Sequence, residues 1–241
     1  MKNNKMAVLD HLEELRKRII ITVSAFLLFF IAAMIYVGDI YGWLVKDLDI
    51  QLAILGPTEI LWVYLMLAGI VSLAVTIPIA AGQAWLFIRP ALTKREQKTT
   101  LAYIPALFIL FILGIGFGYY LIFPIVLEFL LELAGDHFMT FFTTEKYFRF
   151  MLRMTLPFGI LFELPAIVMF LTSLGIVNPY QLKKIRKQAY FTLIVISVLI
   201  TPPDLISDVL VILPLLILYE CSISLSKVVY RKKQRSVATA A

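Results

Sequence analysis

One cysteine, Cys221, and two histidines, His11 and His137, are the only thiol and imidazole groups in this chain of 241 residues. A single cysteine closes no intramolecular disulfide and supplies no CxxC zinc site. Both histidines fall outside the apolar runs, so neither a Ser-His intramembrane protease nor a His-rich metal centre can be assembled at depth. No apolar run contains a pair of aspartates. Asp204 and Asp208 instead stand at the start of the last run, where an N-cap and a favourable first-turn charge account for them. The chain has no GxxxxGK[ST] nucleotide loop, no internal repeat of transporter type and no low-complexity stretch beyond its Ala-rich end. These absences argue against an enzyme, and no catalytic residue, metal or cofactor is expected.

Charge is scarce as well: only 16% of residues are charged, against 61% hydrophobic. Mean hydropathy is +0.91, beyond what a soluble domain carries, so the bilayer is the natural solvent. A net charge of +6 and a pI near 9.3 do not indicate nucleic acid, because the basic residues lie between hydrophobic runs and not on a soluble basic face. The segment Met1 to Arg18 places Asp10, Glu13 and Glu14 ahead of a run too long for a signal-peptide core. It reads as a retained first helix.

About 20 apolar residues cross a bilayer as a helix. On that measure the spans are 19–37, 60–88, 101–123, 154–175, 190–201 and 205–226, with 1–18, 89–100, 176–189 and 227–241 on the cytoplasmic side. The fold class is all-α: one polytopic transmembrane domain of six helices with both termini inside, the last two short, forming a concave, kinked bundle. Eighteen of the 22 Lys and Arg residues then lie inside, and only Lys46, Lys146, Arg149 and Arg153 lie outside or at the outer edge. The positive-inside rule is met at every crossing. If 190–201 did not cross, the basic tail would be outside. Twelve residues reach roughly 18 Å, short of a core of about 30 Å, so the Pro202-Pro203 turn is expected below the outer surface in a locally thinned bilayer. The outer segments 38–59 and 124–149 are long, net acidic and aromatic, as expected of a structured cap.

Glu163 falls within the fourth span, flanked by Pro157 and Pro165. An ionisable group at that depth costs several kcal/mol unless it faces protein, water or a partner, and the prolines are expected to kink the helix. The bland alternative is a protonated structural carboxyl. Gln83, near the inner end of the second span, is either helix-helix glue or a partner contact. Before the first span, Leu9, Leu12, Leu15 and Ile19 form one helical stripe, with Glu13 and Lys17, and Glu14 and Arg18, at i,i+4 spacing. In the first inner loop Glu96 is the one carboxylate among Arg89, Lys94, Arg95 and Lys98. These carboxylates read either as solvated salt-bridge partners or as docking points for cations.

Six motifs, in this order along nearly the whole chain, resemble the TatC family, the multispanning core of the twin-arginine, Sec-independent protein translocase. They are His11-Leu12-Glu13-Glu14-Leu15-Arg16, Pro57-Thr58-Glu59, Phe87-Ile88-Arg89-Pro90-Ala91-Leu92 with Glu96, Phe162-Glu163-Leu164-Pro165, Ile200-Thr201-Pro202-Pro203-Asp204 and Leu218-Tyr219-Glu220. The wording is most similar to TatC proteins of Bacillus-type bacteria, where two-component TatA-TatC systems are usual. Ala91 departs from the Gly frequent there, which bears only on the loop's backbone. The resemblance implies a multi-pass protein of the bacterial cytoplasmic membrane that binds the twin-arginine signal peptides of folded cargo, self-associates in a receptor complex, and recruits TatA-type single-span subunits for export driven by the proton gradient. It implies signal-peptide binding at Glu13, Glu14 and Glu96, with Phe87, Pro90 and Leu92 shaping the site, and intramembrane partner binding at Gln83 and Glu163. Pro57, Glu59, Pro202 and Asp204 are assigned structural roles on the outer face. Arginine binds carboxylates bidentately and lysine does not, and each charge-assisted bond is worth about 1.5 to 3 kcal/mol, enough for a few carboxylates to discriminate. A secondary transporter or proton channel using Glu163 is the alternative.

Overall fold

The computed structural model describes the chain apart from residues 1, 47, 49–51, 94–96, 98–99, 136–140, 202–204 and 239–241; of 2–11, 91, 134, 205 and 235–238 it describes the backbone only. Glu96, Pro202 and Asp204 therefore lie outside the described residues. The chain divides into two compact units, Met1–Ile50 with Gly56–Phe108, and Gln51–Leu55 with Ile109–Ala241.

Two long helices make the first unit. Helix α1, Lys2–Val45, has 44 residues, and α2, Pro57–Ile88, has 32. Each exceeds the roughly 20 residues that cross a hydrocarbon core, so hydrogen-bonded helix continues past the apolar runs 19–37 and 60–88. Pro57 opens α2 after an extended Gly56; proline suits this place because the first-turn N–H groups have no helical acceptor. Glu59 adds a negative charge to that turn, where the helix dipole favours it. The two helices pack on each other, with Ala33 and Val37 of α1 and Val63, Leu67 and Ala68 of α2 buried. The small side chains let the backbones approach in a setting where dispersion replaces the hydrophobic effect. Tyr41 meets Tyr64 edge-on at 5.9 Å between ring centres.

Helix α3, Tyr103–Phe117, carries the chain into the second unit. It continues through a π-turn, Gly118–Ile122, into α4, Phe123–Ala134. Helix α5, Thr144–Leu161, crosses it at the small-xxx-small pair Gly114 and Gly118. A Cβ at Gly114 would fall 2.4 Å from the Phe158 carbonyl oxygen, and one at Gly118 would fall 2.7 Å from Thr155 Cα. Only glycine allows that crossing. Thr143 caps α5, its side chain accepting from the Lys146 N–H. Ala53 pairs with the same turn, donating to Phe142 O at 3.0 Å and accepting from Thr144 N at 2.9 Å. Those bonds tie a piece of the first outer segment to the second, in line with a structured cap.

Helix α6, Leu164–Leu174, ends at Gly175, whose φ of +80° suits a residue without Cβ. Asn178 and Gln181 form a capping box for α7, Pro179–Lys184. Helix α8, Arg186–Ile200, has only 15 residues, a rise of about 22 Å. Helix α9 runs from Leu205 to Ala238. The expected shortness holds for α8. In α9 the apolar part 205–226 is short, but the helix continues through the basic tail, because hydropathy marks solvent and not where backbone hydrogen bonding ends. Among the described residues five segments are long and apolar enough to cross a membrane, and α8 is the short sixth. Among the described residues the β-structure is limited to the isolated Ala53 and Thr143 bridge.

Candidate functional site

Two places hold the polar groups singled out in the sequence, one in each unit. In the first unit the Arg18 guanidinium donates to Glu14 Oε1 at 2.8 Å and to Gln83 Oε1 at 3.2 Å. The first contact is the anticipated i,i+4 pair; the second joins residues 65 apart in sequence. Glu14 and Arg18 keep 34% and 24% of their side-chain surface, so this node is reachable from the polar edge. Glu13 is more open and pairs with Arg16 at 3.6 Å, in place of the anticipated Lys17. At i,i+3 the two side chains lie as close on the helix surface as at i,i+4.

One turn past Gln83, Phe87 is half-buried, and Arg89 and Pro90 are exposed. Pro90 ends α2 in a 3₁₀ turn, Arg89–Ala91, closed by Leu92 N donating to Arg89 O at 3.0 Å. Gln97 secures this turn from the far side, its amide donating to Leu92 O at 3.1 Å and Arg89 O at 3.3 Å. The Arg89 guanidinium lies 5.4 Å from the Trp85 ring centre, a cation-π distance, and Trp85 Nε1 donates to Thr100 Oγ1 at 2.9 Å. Glu13, Glu14, Phe87, Pro90 and Leu92 thus border a polar rim braced by Arg18, Trp85, Gln97 and Thr100. Sequence reasoning missed these four as a frame. The signal available was a tryptophan and a glutamine flanking a Pro-terminated turn.

In the second unit Glu163 occupies the two-residue break between α5 and α6. It is 7% exposed, and neither carboxyl oxygen has a hydrogen-bond partner. The break follows from Pro165, which has no N–H to give the Leu161 carbonyl and sits in the first turn of α6, where that lack is harmless. Glu163 N–H tightens to Ile160 O at 3.1 Å. Phe117 packs on Phe158 and Phe162 at 5.4 Å each, beside the break. Buried polar groups are hydrogen-bonded in the large majority of cases, which makes the unanswered Glu163 carboxyl an exception. Gln83 lies in the first unit and Glu163 in the second. Glu59 Oε2 is also buried without a partner. The Thr201 hydroxyl donates to Asp208. Among the described residues no group of His, Cys, Asp and Glu has the makings of a metal site.

Apolar helices long enough to cross a bilayer, with polar groups gathered at loops and at one break between helices, define a multi-pass membrane protein. Residues 10–214 match the family model described as Sec-independent protein translocase protein (TatC). The chain belongs to this family and is a multi-pass protein of the bacterial cytoplasmic membrane. It is 59% identical to the Sec-independent protein translocase protein TatCd of Bacillus subtilis (strain 168) over all of both chains. With TatCy of the same organism it shares 45% identity, over 99% of this chain and 95% of that one. Among solved structures it is similar to the crystal structure of the twin-arginine translocase receptor TatC, with 33% identity and a TM-score of 0.78 over 91% of this chain and 99% of that chain. These matches favour the translocase over the secondary transporter.

Proposed function

We propose that this chain is the receptor subunit of a twin-arginine protein translocase, taking signal peptides at the rim formed by the start of α1 and the end of α2. The observation that carries the reading is the Arg18 bridge from Glu14 to Gln83. It brings the entry of the first span beside the exit of the second, so that Glu13, Glu14 and the 87–92 turn share one membrane face. It also displays the recognition chemistry, since a guanidinium is already seated on a carboxylate and a neutral amide. An incoming arginine pair competes for the same acceptors, at about 1.5 to 3 kcal/mol per charge-assisted bond. Lysine lacks the planar fork that makes two parallel bonds.

Glu96 is the third carboxylate of the site, in the same loop. Six crossings with both termini inside place this rim in the cytoplasm, where cargo folds. The unanswered Glu163 accepts a polar group from a TatA-type single-span helix or from the inserted signal peptide, and several copies of the chain associate in the receptor complex. The proton gradient drives export.

The test is equilibrium binding of a labelled signal peptide with Arg-Arg or Lys-Lys to the purified chain in detergent. The Arg-Arg form binds at least tenfold more tightly, and the double Glu13→Ala/Glu14→Ala or single Glu96→Ala change removes most of that preference. Equal binding of the two peptides would overturn the reading.

A further inference from the structure

Past the membrane, the α6 to α8 connection and the tail of α9 carry an uneven charge. Residues 176–189 contain Lys183, Lys184, Arg186 and Lys187 and no carboxylate; from 219 to 238 the single carboxylate is Glu220. That carboxylate is already committed. Arg186 Nε lies 2.7 Å from Glu220 Oε1, Arg186 Nη2 donates to Oε2 at 2.9 Å, and the Tyr190 hydroxyl donates to Oε1.

Two further contacts fix α7 against α9. The Tyr219 hydroxyl donates to Leu182 O at 2.9 Å in a buried setting. Tyr180 meets Tyr230 edge-on at 6.3 Å. Lys183 directly follows the α7 anchor Leu182, and Lys227 lies between the α9 anchors Tyr219 and Tyr230. The two ammonium groups are thereby held together: Lys183 beside it presses the Lys227 ammonium below the usual lysine range, and Arg186 and Arg231 act in the same sense.

Cations pinned at close range by a rigid frame, with the local carboxylate already taken, repel one another unless an anion lies among them. The surroundings say which kind. Lys227 is the first residue beyond the apolar part of α9, and the large apolar side chains around the cluster are open: Ile176 is 65% exposed, Phe191 70% and Val228 64%. Basic pockets between spanning helices on the cytoplasmic side suit phospholipid headgroups. The exposed apolar side chains offer a surface to acyl chains, which a free anion does not need.

We propose that Lys183, Lys227 and Arg231 form a binding site for the phosphodiester headgroup of an anionic phospholipid, set between α7 and α9. The site rests on the membrane setting of the chain and not on the signal-peptide reading, so either can fail without the other. It would fix one lipid headgroup at the cytoplasmic ends of α7 and α9.

The full-length chain, purified in a neutral detergent and freed of lipid, is titrated with short-chain phosphatidylglycerol, with short-chain phosphatidylcholine, and with phosphatidylglycerol in the presence of inorganic phosphate. Binding is read by native mass spectrometry. Phosphatidylglycerol binds saturably and phosphatidylcholine at least about tenfold more weakly, while millimolar phosphate leaves the lipid in place. Lys183→Gln with Lys227→Gln weakens phosphatidylglycerol roughly tenfold or more, since each basic residue near anionic lipid is worth about 1 kcal/mol; the paired Lys→Arg changes keep it within a few fold. Equal binding of the two lipids, displacement by phosphate, or undiminished binding in the Lys→Gln pair would each overturn the proposal. The comparison of lipids on the unaltered chain decides the matter even where a variant fails to fold.

Discussion

Gln83 and Glu163 are both polar side chains on apolar helices, and the chain treats them in opposite ways. Gln83 is met from within by Arg18 at 3.2 Å, which also holds Glu14. Glu163 is more deeply buried, bears the costlier group and receives no hydrogen bond. A neutral amide answered internally knits two helices together and stabilises them only modestly. A buried carboxyl left unanswered carries a penalty of several kcal/mol that persists only where something else relieves it. On the proposed reading, the difference separates a brace from a docking point.

Changes at these residues test the contrast, the largest effect coming first. Glu163→Ala is expected to lower export of a folded reporter at least tenfold while signal-peptide affinity in detergent stays within about twofold, since removal of one partner of a buried polar pair costs about 1 to 3 kcal/mol. Export at the unaltered level would return Glu163 to packing. Next, Glu14→Gln should weaken the Arg-Arg peptide by roughly tenfold, the loss of one charge-assisted bond, as measured by fluorescence anisotropy; unchanged affinity would move the site off α1. Arg18→Gln frees Glu14 from its resident guanidinium and is expected to raise peptide affinity a few fold, whereas a fall would mean that Arg18 braces the site and does not compete for it. The smallest effect belongs to Gln83→Leu, about 0.6 kcal/mol of stability by analogy with interhelical hydrogen bonds in lipid. Thermal unfolding in detergent checks it, and a loss of several kcal/mol would place Gln83 in the same class as Glu163.

Five of the apolar runs were legible because each has the length a bilayer demands, the short run 190–201 because the charge distribution requires another crossing, and Glu163 because a charge interrupts one of them. Where Pro157 and Pro165 were expected to kink the helix, Pro157 stays inside α5 and a break falls at Phe162-Glu163, where Pro165 withholds its N–H. Helix ends were not legible: α1 begins at Lys2 and α9 continues to Ala238, and polar residues continue a helix in water as readily as apolar ones do in lipid. Nor was the Arg18 and Gln83 bond, since it joins residues 65 apart and periodicity carries no information about contacts between helices. The frame of Trp85, Gln97 and Thr100 was hidden for a related reason: its bonds run to backbone carbonyls and a hydroxyl, which any neighbouring sequence supplies.

The central claim is that Glu163 is held open for a partner helix. Its most direct test is a photo-crosslinking residue at Ile167, one turn beyond Glu163 and 43% exposed, in membranes that contain a TatA-type subunit. An adduct with that subunit that disappears in the Glu163→Ala background is the predicted result, and an adduct of equal yield with and without the carboxyl would contradict it.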